Sequence, residues 1–313
     1  MIFDFHDKNI DLVKQRNIYF FISIAVTVIG ILLLFVRGLN LGIDFQSGSR
    51  VEIVAKEPLT TEQIMEDFAA IGAGYVPDDV TLAGDHFEMA HARFIGMLSK
   101  EEVFEIQSYF KEKYGTEPSI STVSPTVGRE LARNALYAVL IASLGILIYI
   151  TFRFQFLYGV ATVISLLHDA FIVLAAFSLL QIEINVPFIA AVLTVVGYSI
   201  NDTIVTFDRI RENIKLSKRV KTFDDLAKIV NISLLQVMSR SINTVLTVLF
   251  CVIAIYLFGG EAIRSFALAL LIGLTAGAYS SIFIAAQLWL VMKGKQLEKK
   301  KFRSKPKSEE QWT

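Results

Sequence analysis

The chain has 313 residues, 54% of them hydrophobic, and its mean hydropathy is +0.54. A soluble domain of this length has a larger polar share, so the composition predicts a membrane protein. The 30 basic and 30 acidic residues cancel, and we expect no nucleic-acid partner. The single cysteine, Cys251, excludes an intramolecular disulfide and is predicted to be a small core residue. The four histidines lack metal-ligand spacing and no phosphate-binding glycine loop occurs, so we expect neither cofactor nor enzymatic activity.

Six apolar stretches are long enough to cross a bilayer, which needs about 20 residues in a helix. They lie at about 18–36, 134–152, 157–180, 187–207, 242–258 and 266–292. The first follows Lys14 and Arg16, as the apolar region of a signal peptide follows its basic residues. Its apolar region is too long for a signal peptide, and no small-residue cleavage site follows. We therefore interpret it as a retained span and predict a six-helix membrane protein.

Lysine and arginine are concentrated in three segments: the N-terminus with Lys8, the connection 208–241 and the tail 293–313. The turns at 181–186 and 259–262 contain neither. Basic loops are typical of the cytoplasmic side, so all basic connections share one side if both termini are cytoplasmic. The predicted organisation is a cytoplasmic N-terminus at 1–17, a first span at 18–37, an exported domain at 38–133, five spans within 134–292 and a cytoplasmic tail at 293–313.

The exported segment has the pattern of a small α+β domain. Strand-like stretches at 49–56, 79–84, 86–94 and 119–128 alternate with two helical ones at 59–72 and 99–115. Ser99, with Glu102 three residues later, is a helix-capping signal. The order β-α-β-β-α-β predicts a ferredoxin-like fold. His86 and His91 have no nucleophile nearby, so we expect this domain to bind or support rather than to react.

The connection 208–241 has two interpretations, and the sequence leaves both open. Its basic residues are either topology signals beside anionic lipid or a docking surface for a cytoplasmic partner. Within it, 222–238 begins at a Thr222 cap and has helical apolar spacing. This pattern predicts an amphipathic helix on the inner face of the membrane.

Two carboxylates fall inside predicted spans: Asp169, next to His168 in the third, and Asp202 in the fourth. A charge at the bilayer centre costs about 2.5–3.5 kcal/mol on insertion scales, so such residues usually have a function. Arg240 stands at the start of the fifth span and is a candidate partner for Asp202. A carboxylate whose charge can change is suited to ion coupling. The alternative is a static bond that holds helices together.

Polar residues accompany Asp202 along its helix and could face the fifth span. Tyr198, Asp202 and Thr206 recur every four residues and therefore share a face. The fifth span offers Ser241, Thr244 and Thr247, spaced three apart. The remaining polar neighbours of Asp202 on the fourth span are Ser199, Asn201 and Thr203.

Several motifs resemble those of the SecF family of bacterial protein-export membrane proteins. They are GIDFQSG at 42–48, SPTVGRELARNA at 124–135, GYSINDTIVTFDRIREN at 197–213 and SINTVLTVL at 241–249. The resemblance covers nearly the whole chain, and Ser47 departs from it, because the family usually has a glycine there. The motif residues carried over are Gly42, Asp44, Gly48, Gly197, Asp208, Arg209, Arg211, Glu212 and Asn213.

The resemblance implies half of an RND-type transporter in the bacterial cytoplasmic membrane. It implies pairing with SecD, association with the SecYEG channel and with YajC or YidC, and SecA as the separate source of ATP hydrolysis. Such a complex assists the translocating polypeptide by using a proton or sodium gradient, with membrane lipids around its spans. Asp202 and Arg240 fall at the family's coupling positions, and Asp169 is a further candidate.

Two other functions stay open at this point. A small-molecule or lipid exporter of the same superfamily usually carries both six-span halves in one chain, whereas this chain has one. A scaffold that stabilises the translocon without ion coupling would tolerate replacement of its intramembrane ionisable residues. An intramembrane enzyme is disfavoured, because the spans contain no nucleophile–base pair and no metal-ligand pair.

Overall fold

A computed structural model of the protein describes residues 10–72, 74–84, 86–217, 220 and 222–303. Lys8, Lys218, Arg219, Lys221 and the end of the predicted tail, 304–313, lie outside the described residues. All six predicted spans form helices that are long and apolar enough to cross a membrane. The first of them is α1 (Arg16–Val36). The prediction of a multi-pass membrane protein is confirmed.

A small domain lies between the first and second membrane helices. Its elements are α2 (Ile43–Gln46), β1 (Gly48–Val54), α3 (Thr61–Ile71), β2 (Asp79–Ala83), β3 (Met89–Phe94), α4 (Lys100–Tyr114) and β4 (Ser119–Val123). The strand order is β2-β3-β1-β4, and every neighbouring pair is antiparallel. This order and the β-α-β-β-α-β succession confirm the ferredoxin-like fold.

Alternating residues of the sheet and one face of each helix form the core of this domain. Val51 and Ala92 from the sheet and Phe68 and Phe110 from the helices have no exposed surface. The predicted cap of α4 is present, since Ser99 and Glu102 exchange side-chain and backbone hydrogen bonds. These bonds hold the pKa of Glu102 below its usual value.

The second membrane helix, α5 (Pro125–Arg153), begins well before the predicted boundary at 134. Ser124 caps it by accepting a hydrogen bond from the Val127 backbone N–H, and proline occupies the first turn. Proline fits there because that turn has no use for its missing N–H. The strand predicted at 119–128 therefore ends at Val123, and the helix connects directly to the sheet.

Five further helical segments complete the bundle. They are α6 (Phe156–Leu180), α7 (Val186–Leu216), α8 (Phe223–Phe258), α9 (Glu261–Ser280) and α10 (Ala286–Arg303), with a π-helix (Ser281–Ala285) between α9 and α10. The sixth span therefore consists of α9, the π-helix and α10. Cys251 of α8 is exposed, so the prediction of a core cysteine is wrong. It lies on a helix face that no other part of the described chain covers.

The predicted helix at 222–238 is present and begins at its Thr222 cap, but its predicted place as an amphipathic helix on the inner membrane face is wrong. This segment is the first half of α8, which continues without a break into the fifth span. Its buried residues Leu226, Val230 and Leu234 pack in one cluster with Phe207 and Trp289 from other helices. Apolar periodicity is the same whether a helix faces lipid or protein, so the pattern alone did not distinguish them.

The small domain is attached to the helix bundle through the loop at 40–48. Gly42 N donates to Ile184 O and Ile184 N donates to Asn40 O, both at 2.8 Å, which joins this loop to the turn between α6 and α7. A side chain at position 42 would collide with the Glu183 carboxylate. Glycine at position 42 therefore leaves room for the Glu183 side chain beside this loop.

Two side chains extend this attachment to α7 and to the sheet. Asp44 Oδ2 accepts a hydrogen bond from Val186 N at 2.9 Å and so caps the first turn of α7. Arg50 of β1 forms an ion pair with Glu183 in the same turn. The domain is thus bonded to the beginning of the helix that carries Asp202.

Two glycines bring α9 close to α7 inside the bundle. A Cβ at Gly273 would lie 2.8 Å from Val195 Cγ1, and one at Gly277 would lie 3.1 Å from Ser199 Oγ. The glycines are four residues apart, so they share one face of α9. Small residues at this spacing are typical of closely packed membrane helices.

The backbone conformation at position 47 suits a glycine, the residue that the family usually has there, better than the serine of this chain. Ser47 has φ 64° and ψ 157°, a combination that is almost restricted to glycine. Gly48 follows at φ 140°, where a side chain would collide with the Phe94 carbonyl oxygen. Serine at position 47 is therefore held in a strained backbone conformation that a glycine would adopt freely.

We expect Ser47→Gly to raise the free energy of unfolding by about 1 kcal/mol, because relief of strain exceeds the added freedom of the unfolded chain. Thermal unfolding of the detergent-purified protein measures this. Ser121→Gly, the same change on an exposed position of β4, is the control and should lower the melting temperature. A lower melting temperature for Ser47→Gly would contradict the strain.

We expect Gly273→Ala to destabilise the bundle by about 1–3 kcal/mol, because the new methyl group meets the side chain of Val195, which is 1% exposed. The same thermal unfolding assay measures it. Gly145→Ala in α5 is the matched control, since nothing lies within 4 Å of its Cβ. Equal melting temperatures for both variants would rule out the close α7–α9 contact.

Candidate functional site: two carboxylates among the membrane helices

Asp202 joins three membrane helices through its carboxylate. Ser241 Oγ of α8 donates a hydrogen bond to Oδ1, and Ser281 Oγ of the π-helix donates one to Oδ2, each at 2.6 Å. Both serines are buried, whereas Asp202 itself is half-buried. Both oxygens of this intramembrane carboxylate therefore have hydroxyl partners.

Asp169 forms a second, deeper junction between helices. It is fully buried in α6, and its Oδ2 accepts hydrogen bonds from Ser199 Oγ of α7 at 2.8 Å and Ser280 Oγ of α9 at 2.7 Å. His168 Nδ1 lies 3.5 Å from Asp169 Oδ1. Within the described residues, Oδ1 accepts no hydrogen bond. Asp169 thus has one oxygen satisfied by serines and one facing a histidine.

The predicted contact between Asp202 and Arg240 is not present within this chain. Arg240 is exposed and forms no salt bridge with any described residue. Its neighbour Ser241 points to Asp202 instead. Successive residues of a helix point about 100° apart, so Ser241 and Arg240 face different surroundings. The arginine lies on the outer face of α8.

The predicted polar face around Asp202 divides into a buried and an exposed group. Ser199 and Thr203 are buried, and Thr203 Oγ1 donates to Ser199 O at 3.0 Å. The hydroxyl groups of Tyr198 and Thr206 are buried and have no hydrogen-bond partner among the described residues. Ser199, Thr203 and Thr206 are therefore buried in the bundle, whereas Tyr198 is partly buried and only its hydroxyl group is fully enclosed.

The other predicted members lie on the outer face of α7 and α8. Thr244 and Thr247 are exposed and donate only to carbonyl oxygens of their own helix. They therefore do not support Asp202. We call the following exposed polar and small residues of these two helices the α7–α8 polar face: Thr194, Gly197, Asn201, Arg240, Asn243, Thr244 and Thr247.

The charged end of the long motif at 208–213 binds other parts of the chain. Asn213 Nδ2 donates to Ser233 Oγ and Gln236 Oε1 of α8, both at 2.8 Å. Arg211 donates to the Arg153 carbonyl oxygen. The remaining contacts join Arg209 to Glu212 and Gln236, and Asp208 to Arg153. This segment holds α7 against α8 and the α5–α6 turn.

Sequence reasoning missed Ser280 and Ser281. Both have no exposed surface, and each donates to a different intramembrane carboxylate. The available signal was a pair of consecutive serines in the middle of the apolar sixth span, three residues after Gly277. The π-helix that begins at Ser281 was not predictable from the pattern. Such turns occur frequently at functional sites.

Family models match most of the chain. The model described as "Protein export membrane protein SecD/SecF, C-terminal" matches residues 105–295, and the "SecD/SecF GG Motif" model matches residues 32–58. The second match covers the loop that attaches the small domain to α7. The first covers α4 to α10 and therefore both carboxylates.

Similar proteins point to the same family. The chain is 53% identical over 289 residues to the protein translocase subunit SecDF of Bacillus subtilis, covering 92% of this chain and 39% of that protein. It is 43% identical to the protein translocase subunit SecF of Alicyclobacillus acidocaldarius, covering 92% of this chain and 94% of that protein.

A solved structure has the same fold. The crystal structure of SecDF from Thermus thermophilus, described as a translocon-associated membrane protein, superposes with a TM-score of 0.83 at 33% identity. The match covers 92% of this chain and 39% of that one. Sequence and structure agree along nearly the whole chain, and the chain therefore belongs to the SecD/SecF family of protein-export membrane proteins.

Proposed function

We propose that the chain is an accessory subunit of the Sec protein-export machinery that uses an ion gradient to promote translocation. The observation that carries this proposal is the Asp202 carboxylate, held inside the bundle by serines from two other helices. The chain spans 39% of the B. subtilis SecDF protein and 94% of the A. acidocaldarius SecF protein. Because the B. subtilis relative is named SecDF, we propose that this chain acts with a second six-span half.

The α7–α8 polar face is where we place the SecD half. Polar side chains and an arginine exposed to lipid are costly, and small residues allow helices to approach closely. A partner span on this face would cover Asn201, Thr244 and Thr247 and offer Arg240 a counter-charge. The name of the B. subtilis relative, SecDF, joins the two halves, which supports this pairing.

Ion binding at Asp202 would rearrange its serine partners. An ionised carboxylate only accepts hydrogen bonds, whereas a protonated one carries a donor on one oxygen. Ser241 or Ser281 would then have to turn its own proton away. A sodium ion would compete with the same hydroxyl protons. One elementary charge crossing 100 mV releases about 2.3 kcal/mol, which is comparable with one charge-assisted hydrogen bond.

The attachment of the small domain to α7 can transmit a rearrangement at Asp202 to that domain. Asp44 caps the first turn of α7, and Arg50 forms an ion pair with Glu183 in the connection between α6 and α7. A shift of α7 at Asp202 is therefore passed along a continuous helix to the domain. We propose that the domain moves on the exported side and hinders backward sliding of the polypeptide.

The remaining assignments follow the family resemblance. We infer that both termini are cytoplasmic in the bacterial cytoplasmic membrane, and that SecYEG, YajC or YidC are neighbours, with SecA acting indirectly. We infer no enzymatic role for the chain itself. The basic residues of the described chain near the end of α7, such as Arg209 and Arg211, bind other parts of the protein, so they are structural as well as topological signals.

A scaffold without ion coupling is the second candidate. It is favoured by the complete hydrogen bonding of Asp202, because a static helix contact would have the same geometry. The two functions differ in whether the charge of Asp202 has to change. Replacement by a neutral side chain of equal size separates them.

We expect Asp202→Asn to reduce gradient-dependent export of a secreted reporter to the level of a deletion while SecD still co-purifies. Asparagine keeps the size and one acceptor but cannot change charge. Asp224→Asn, at an exposed position in the first turn of α8, is the control and should export normally. Unchanged export by Asp202→Asn in an intact complex would favour the scaffold.

We expect Ser241→Ala to slow gradient-dependent export and Thr275→Ala, at an exposed position of α9, to leave it unchanged. Ser241 donates to Asp202, whereas Thr275 donates to Leu271 O of its own helix. A hydrogen bond to a charged group contributes about 1.5–3 kcal/mol. Initial export rates in inverted vesicles, with SecD content measured in parallel, test this. The reverse ranking would contradict the assigned geometry.

A further inference from the structure

Two consecutive serines connect the two intramembrane carboxylates. Ser280, the last residue of α9, donates to Asp169 Oδ2 at 2.7 Å, and Ser281, the first residue of the π-helix, donates to Asp202 Oδ2 at 2.6 Å. Both serines have no exposed surface. The carboxylates belong to different helices, α6 and α7, and a single peptide bond separates their two hydroxyl partners.

Each serine also has a second acceptor on its own helix. Ser280 Oγ lies 3.3 Å from Gly277 O, and Ser281 Oγ lies 3.3 Å from Ala278 O. A hydroxyl that loses its carboxylate acceptor can therefore turn to a backbone carbonyl without leaving its proton unsatisfied. Each serine hydroxyl therefore has two acceptors within reach, and rotation between them would provide the two arrangements that a switching element requires.

The helix geometry at this point can respond to such a change. The hydrogen-bonding pattern of the sixth span changes from α to π at Ser281. A π-turn is a wider turn than the α-helix on either side of it, and such turns are rare. Gly277 keeps α9 near Ser199, the other serine that donates to Asp169. Rotation of either serine side chain therefore acts on a helical segment that contacts both Asp169 and Asp202.

We propose that Ser280 and Ser281 are positioning residues that couple Asp169 to Asp202, so that the two carboxylates bind and release an ion as one unit. The ion-binding role rests on the proposed function, whereas the coupling rests on the serine contacts. When Asp202 is neutralised, Ser281 turns to Ala278 O. The shared backbone then alters the bond from Ser280 to Asp169.

Other titratable groups lie near Asp169, Asp202 and their serine partners. His168 of α6 lies beside Asp169 Oδ1. Tyr198 precedes Asp202 by one turn of α7, Arg240 precedes Ser241 on α8, and Tyr279 precedes Ser280 on α9. None of these groups donates to either carboxylate through a hydrogen bond in the described chain. The serines are the direct connection.

The test is the pH dependence of Asp202 modification by a hydrophobic carbodiimide, which reacts with protonated carboxyl groups. Membranes containing the assembled complex are labelled across a pH series, and the Asp202 peptide is quantified by mass spectrometry. We expect Asp169→Asn to shift the labelling midpoint of Asp202 by about one pH unit, as for two groups that titrate together. In a Ser280→Ala background, the same substitution should leave the midpoint unchanged.

Controls separate coupling from a general disturbance. Thr275→Ala, on the same helix, removes a hydroxyl that donates only to Leu271 O, and the shift caused by Asp169→Asn should persist in it. If Ser280→Ala does not assemble, Ser281→Ala interrupts the same connection at its other end. The proposal is overturned if Asp169→Asn does not shift the labelling midpoint of Asp202. It is also overturned if the shift is the same with and without the serine hydroxyl groups.

This labelling result is independent of export. If Asp202→Asn exports normally, the proposed ion-driven function fails, yet the labelling shift still decides whether the two carboxylates are coupled. If Asp202→Asn abolishes export and the shift is absent, Asp202 acts without Asp169, and the coupling proposal alone is wrong.

Discussion

The Asp202 carboxylate and its two serine bonds are the interaction on which the arrangement of the bundle depends. A charge in the hydrocarbon region is tolerated only when the protein supplies the partners that water would otherwise provide. Here Ser241 and Ser281 supply them from α8 and the π-helix. The requirement to satisfy one side chain therefore fixes the relative positions of three membrane helices.

Close packing makes this arrangement possible. Gly273 and Gly277 let α9 approach both α7 and α6, since a Cβ at Gly277 would lie 3.1 Å from Ser199 Oγ and 3.6 Å from Asp169 Oδ2. The closeness of α9 to α6 allows Ser280 to reach Asp169. At one end of α7, Asp44 and the loop at 40–48 bind the small domain. At the other, residues 208–213 bind α8 and the α5–α6 turn. A single long helix therefore connects the domain, the carboxylates and the charged end.

The distribution of polar residues also distinguishes the inside of the helix bundle from the α7–α8 polar face, where we have proposed that a partner binds. Ser199, Thr203 and Thr206 are buried, whereas Arg240 and Thr247 on the next helix are exposed. An exposed threonine or arginine is common on a protein surface in water, but its exposure to lipid costs free energy. The exposed polar residues of the α7–α8 polar face therefore support the proposed pairing with a second protein.

The sequence alone predicted the six spans, the order of the small domain, the cap at Ser99 and the location of Asp169 and Asp202 within membrane helices, because hydropathy and strand and helix periodicity are local signals. It did not determine which hydroxyl reaches which carboxylate. Arg240 and Ser241 are neighbours in the chain, yet only Ser241 faces Asp202. Helix rotation, the π-turn at Ser281 and the packing of 222–238 against Phe207 and Trp289 depend on contacts between distant segments. These features became visible only in the folded chain, because the same apolar pattern is compatible with lipid or protein as its neighbour.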